Sequence, residues 1–137
     1  MSARSKARRR AVDIVFEADQ RTLPALEILA QRVDSADPPV REWTETLVRG
    51  VFAHSARIDD VLSTYSVDWP LDRMPAVDRA VLRVAMFELL WCDDVPDAVA
   101  ISEAVELVTE LSTDQSPGFV NGLLGRIEDL KSILTLS

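Results

Sequence analysis

Five cations crowd the first ten residues, Arg4, Lys6, Arg8, Arg9 and Arg10, with no Asp or Glu among them. Arginine presents a planar fork of donors that grips phosphate bidentately and stacks on unpaired bases, so this arm has the chemistry needed to hold single-stranded RNA. A basic terminus this short also serves as a solubilising tail. What sets this one apart is that it runs without a break into a stretch of helical spacing, so it need not be wholly flexible. The chain holds fifteen Lys and Arg against twenty-three Asp and Glu, so the other 127 residues carry ten bases against all twenty-three acids. A body that negative repels phosphate, which confines nucleic-acid contact to the arm and its neighbours and leaves the remaining surface for a basic protein.

Two further segments carry polar chemistry. In Ser112-Thr113-Asp114-Gln115-Ser116-Pro117-Gly118-Phe119-Val120-Asn121-Gly122, small polar residues lead into a helix N-terminus. Free backbone N–H groups and the positive end of the dipole can receive phosphate there. Phe119 stacks on a base if exposed, but its local pattern favours a core position, and Asn121 with Gly122 suggests tight packing around one satisfied amide. In the segment 71–83, Asp78 near a helix start complements the dipole. Asp72 with Asp78 presents carboxylates to a basic partner, while Arg79 and Arg83 share a face and can pair with acids of a neighbouring helix. Residues 84–125 contain eight acids and no Lys or Arg, a poor RNA surface and a fair one for docking a basic protein.

Catalysis finds little support. His54 is the only histidine, and Ser55 beside it in a helix points elsewhere. Asp59–Asp60 and Asp93–Asp94 read as helix-end and loop acids, no glycine-rich phosphate loop occurs, and no cluster has metal-ligand spacing. The single cysteine, Cys92, excludes an internal disulfide and follows Leu89, Leu90 and Trp91, which suits a buried, inert thiol. No catalytic residue, metal or cofactor is expected. No apolar stretch is long enough to span a membrane, and a cytoplasmic setting is the economical reading.

The elements that must position these residues are helices. Apolar positions Ala7, Ala11, Val12, Val15, Phe16 and Ala18 predict a helix over 5–20. Thr22 before Leu23 and Pro24 marks the start of a second, and residues 39–65 read as one long helix with Gly50 allowing close packing. Residues 66–75, with Trp69 and two prolines, form a hinge. Pro75 opens a helix apolar nearly all round, which belongs in the middle of a bundle. Further helices follow over about 98–111 and from Ser116-Pro117 onward. No alternation of period two is long enough for a strand. The expected fold is all-α, six or seven helices in one domain over 1–137: an arm (1–10), an N-terminal sub-bundle (11–66) and a C-terminal sub-bundle (75–134).

These pieces, in this order, resemble the NusB family of transcription antitermination factors. The matching blocks are Ala7-Arg8…Ala11-Val12…Val15-Phe16, then Leu71…Val77-Asp78-Arg79-Ala80-Val81-Leu82-Arg83…Phe87-Glu88-Leu89, then Val95-Pro96…Val99-Ala100-Ile101-Ser102-Glu103-Ala104-Val105-Glu106-Leu107, and Ser116…Phe119-Val120-Asn121-Gly122-Leu123-Leu124. The likeness covers roughly residues 3–130. It implies two small helical bundles, and a heterodimer with NusE, the small-subunit ribosomal protein that doubles as a transcription factor. The pair would bind single-stranded boxA RNA of nascent ribosomal transcripts and join RNA polymerase with other Nus factors. The resemblance puts RNA at Arg4, Lys6, Arg8, Arg9 and Arg10 and at Gln115, Ser116 and Phe119, and NusE at Phe16, Asp72 and Asp78.

Three positions depart from the family. Ser102 stands where Asn is common, and Phe16 where Tyr is common, which removes a phenolic hydrogen bond. Gly118 replaces a residue often basic, which removes a phosphate contact, so the isolated chain is expected to bind RNA weakly, with NusE supplying positive charge. The same domain also occurs fused to rRNA cytosine methyltransferases, but 137 residues leave no room for a cofactor-binding domain, so the non-catalytic module is expected. A helical protein-binding adaptor without RNA contact is the alternative, and a homodimer covering the arm is compatible with the pattern.

Overall fold

The computed structural model describes residues 2–134; residue 1 and residues 135–137, which the expected single domain includes, lie outside the described residues. Among the described residues the chain is helical throughout, with eight helices and no strand. They are α1 (Ala3–Arg21), α2 (Ala25–Ser35), α3 (Glu42–Ala53), α4 (Ser55–Tyr65), α5 (Ala76–Trp91), α6 (Asp97–Leu111), α7 (Ser116–Asp129) and α8 (Lys131–Leu134).

The organising element is α5. Eleven of its sixteen residues are buried, including Val81, Leu82, Ala85, Met86 and Leu89, so it has no solvated face of any width. Helices α1, α3, α4, α6 and α7 all pack on it, and one continuous apolar cluster runs from Val12 and Ile14 through Leu82 and Met86 to Leu124 and Ile127. Full burial of each such side chain contributes about 1.5–3 kcal/mol. The sequence reading of a central helix apolar nearly all round is what this packing requires.

The arm is itself helix. Ser2 caps α1, its hydroxyl accepting from the Ser5 N–H at 3.0 Å, so Arg4 to Arg10 have fixed directions. The far end corrects the expectation for Thr22. That residue closes α1 in the left-handed region (φ 53°), and Leu23 N–H reaches back to the Ala18 carbonyl at 2.9 Å. The second helix starts only after Pro24, which fixes the turn into it.

The helix count exceeds six or seven for two reasons. The short α8 follows α7, and the pattern over 39–65 breaks at His54 into α3 and α4. Neither proline nor glycine breaks it. His54 leaves helical geometry (φ −109°, ψ 17°) and lays its ring on Trp91, centroids 4.0 Å apart, with Phe87 beyond at 6.0 Å. A stacking contact with α5 outweighs continuity of one helix, and periodicity within 39–65 carries no trace of it.

Gly50 does what its place in the pattern suggested. A Cβ there would overlap the ring of Phe87, which fills the space over the α3 backbone. Gly50→Ala is expected to cost about 1–3 kcal/mol through overpacking, despite the better helix propensity of alanine. Urea denaturation checks this, and an unchanged or raised midpoint would refute the close approach of α3 and α5.

Candidate nucleic-acid and partner interface

The arm meets the rest of the protein through carboxylates. Arg8 lies along the buried side of α1, and its Nε donates to both oxygens of Glu88, at 2.8 and 2.9 Å. The two side chains are 5% and 1% exposed. Nη1 of Arg8 also reaches Glu103 on α6 at 3.3 Å, and Ser5 Oγ donates to the same Glu103 oxygen at 2.6 Å. Removing a guanidinium and a carboxylate from water is tolerated only when they are paired and hydrogen-bonded this fully. Arg8 is therefore the bolt between α1, α5 and α6, and its guanidinium is not on the surface where the sequence reading placed it.

Its neighbours are paired nearer to solvent. Arg4 bonds Asp94 at 3.0 Å, and its guanidinium carbon sits 3.9 Å from the centre of the Trp43 ring. Arg9 bonds Glu110 at 2.8 Å; that hydrogen bond and charge raise the already high Arg9 pKa further. Lys6 and Arg10, one turn apart, face the other way. They line a cleft of about 530 Å³ whose opposite wall is Pro38, Pro39, Val40 and Arg41.

The second RNA segment is divided between surface and interior. Gln115 is exposed and forms the N-cap of α7 without a side-chain bond. Ser116 is fully buried; its Oγ accepts from Thr113 N–H at 3.3 Å and bonds the hydroxyls of Thr113 and Ser112, so it braces the turn. Phe119 is half-buried and meets Trp69 edge to face, centroids 5.1 Å apart. Asn121 and Gly122, read as a tightly packed pair, are both exposed, because α7 turns that stripe toward solvent.

The three partner-facing residues also differ in depth. Asp72 is exposed, and Phe16 is half-buried against the core. Asp78, in the first turn of α5, is 0% exposed, and both its carboxylate oxygens lack a hydrogen-bond partner. As folded, no part of its side chain is open to a partner. Close by, Arg79 bonds Asp19 at 2.6 Å and the Leu71 carbonyl at 2.9 Å, and Arg83 bonds Asp59 at 2.9 Å. These two arginines pair with acids of neighbouring helices, as their shared face allowed, and tie the hinge to α1.

No group of three or more His, Cys, Asp or Glu among the described residues could hold a metal. Burial, with Glu88 nearby, pushes the Cys92 thiol up to about 11, so at neutral pH it stays protonated and a poor nucleophile. His54 is stacked on Trp91 rather than set beside a nucleophile.

The sequence matches the NusB family over residues 5–129. The chain belongs to the NusB family. Transcription antitermination protein NusB of Kineococcus radiotolerans is 62% identical over 135 residues, covering 98% of this chain and 99% of that protein. NusB of T. maritima has the same fold at a TM-score of 0.83 and 32% identity, covering 94% of this chain and 92% of its own. A complex of the antitermination factors NusB and NusE with dsRNA holds a chain of this fold at a TM-score of 0.81 and 24% identity, covering 92% and 96%.

Sequence reasoning on this NusB-family chain missed the acids that receive the arm. Glu88 was the available signal, the lone carboxylate inside the apolar run of α5, and Arg8 falls in step with Ala7 and Ala11 on the buried side of α1. Arg8→Ala strands a buried carboxylate and is expected to cost about 3–5 kcal/mol, whereas the double change Arg8→Met with Glu88→Leu recovers most of that loss. Denaturation midpoints of the three proteins check it; equal stability of Arg8→Ala and the parent would show the pair to be incidental.

Proposed function

We propose that this chain is a non-enzymatic transcription antitermination factor of the cytoplasm. It binds boxA-type single-stranded RNA of nascent ribosomal transcripts together with NusE and links that RNA to the elongating polymerase. The observation that carries this reading is the family match over residues 5–129, with a relative 62% identical across almost its whole length bearing the antitermination name. No helix among the described residues is long and apolar enough to cross a membrane.

The charge layout supports the division of labour. Phosphate is met by the basic half of α1 and by the exposed rim around Gln115 and Phe119, with Arg8 and Ser116 holding those surfaces in place from below. A basic ribosomal protein docks near Phe16, Asp72 and Asp78. An unpaired carboxylate in an apolar setting is costly, so Asp78 gains most from a cation brought by a partner. Bridging then needs no chemical step: the transcript is tethered through the partner, and elongation resists termination.

One observation favours the adaptor without RNA contact: Arg4, Arg8 and Arg9 are all held by the chain's own carboxylates. Fluorescence anisotropy with a boxA-like single-stranded RNA, with and without NusE, over a salt series separates the two. RNA binding is expected to be weak alone and strengthened by NusE, and to weaken as salt rises with a slope of about 0.7 per phosphate contact. Capture of NusE with no RNA bound under any condition would leave the adaptor.

A further inference from the structure

We propose that the cleft between α1 and the 38–41 loop is a nucleotide-phosphate site for single-stranded RNA, with Lys6, Arg10 and Arg41 as its cations. The inference rests on the RNA-binding reading and names where on the basic half of α1 the phosphates sit. Lys6 and Arg10 come from one face of α1, and Arg41 from the residue that opens α3. The cleft they share measures about 530 Å³, within the range of about 300–1,000 Å³ usual for small-ligand sites.

Charge singles this place out. The chain carries a net charge of −8, yet no carboxylate lines the cleft. Among the described residues, none of its three cations makes an ion pair, whereas Arg4, Arg8 and Arg9 do. Asp13, one turn along α1, stands outside the lining; burial raises its pKa, and the charges of Arg9 and Arg10 only partly oppose that. Three convergent cations with no carboxylate among the residues that line the cleft create a local positive potential, and phosphate relieves it. Arg10 is already aimed: its two terminal nitrogens rest on the Pro38 carbonyl at 3.4 and 3.5 Å, bonds long enough to yield to a charged acceptor.

The remaining surface fits the rest of a nucleotide. Pro38, Pro39 and Val40 give an apolar wall beside the cations, suited to a ribose or the face of an unpaired base, while Thr44 at the floor is engaged by the Ala7 carbonyl at 3.0 Å. A duplex would present only phosphate to this wall. Single-stranded RNA can use both halves of the cleft, since its unstacked bases are free to turn toward the protein. Arg41 has no place in the basic arm; folding alone sets it opposite Arg10.

The test uses the full chain and a fluorescent single-stranded RNA, with NusE present at one fixed concentration throughout. Arg41→Ala is compared with Arg49→Ala, which removes the same charge from an exposed site elsewhere on α3. Lys6 and Arg41 are exposed, so circular dichroism is expected to show an intact fold for their variants. Arg41→Ala is expected to weaken RNA binding about five-fold or more, and Lys6, Arg10 and Arg41 changed together to lower the salt slope by about 2, at about 0.7 per lost phosphate contact. Parent-like RNA affinity and slope in the triple variant would overturn the site while leaving RNA binding itself standing. So would Arg41-dependent binding of an oligoglutamate peptide with RNA affinity unmoved, since the cleft would then take acidic protein. Failure of the parent chain to bind RNA at all would remove the function and this site together.

Discussion

A single guanidinium sealed between two helices decides what the rest of the molecule can be. With Arg8 bonded to both oxygens of Glu88 and also to Glu103, α1 cannot roll about its axis without exposing an unpaired buried charge. That fixes which way every other arm residue points. Arg4 and Arg9 fall toward Asp94 and Glu110, and Lys6 with Arg10 toward the 38–41 loop. The ion pair thus connects the apolar core, through the central helix α5, to the charge pattern on the surface.

The consequence is an arm with two electrostatic characters. On the side facing α6 and the turn before it, cations and acids nearly cancel, so a phosphate arriving there competes with carboxylates already in place. On the side facing the 38–41 loop no carboxylate lines the cleft that the cations share. A strongly acidic protein can hold RNA under such an arrangement because the Debye length at physiological salt is about 8 Å, so the distant acidic body is largely screened while nearby cations are not.

Aromatic contacts govern the other two regions of interest. His54 on Trp91 sets the joint between α3 and α4, next to the place where Phe87 occupies the space that Gly50 leaves. Trp69 against Phe119 ties the hinge to the start of α7. In each case a loop or helix end is held by a ring from a distant segment, so these regions are ordered by tertiary packing rather than by local preference.

The sequence by itself determined the helical class, most of the helices and their central member, because period, proline positions and the largely apolar stretch of α5 are local properties of neighbouring residues. The break at His54 and the short α8 were not legible there. The sequence also shows the basic charge gathered at one end and Gly50 as the mark of a close approach. What folding alone decided is the depth of each polar group. Arg8, Ser116 and Asp78 read as surface residues, since composition and spacing say only that a polar group is present. Whether it faces water depends on segments tens of residues away, as with Glu88 for Arg8. Arg41 is the converse case, an unremarked loop residue that acquires significance only because the chain returns to lie beside α1. Charge and periodicity are written along the chain; burial and convergence exist only between segments that the core brings together.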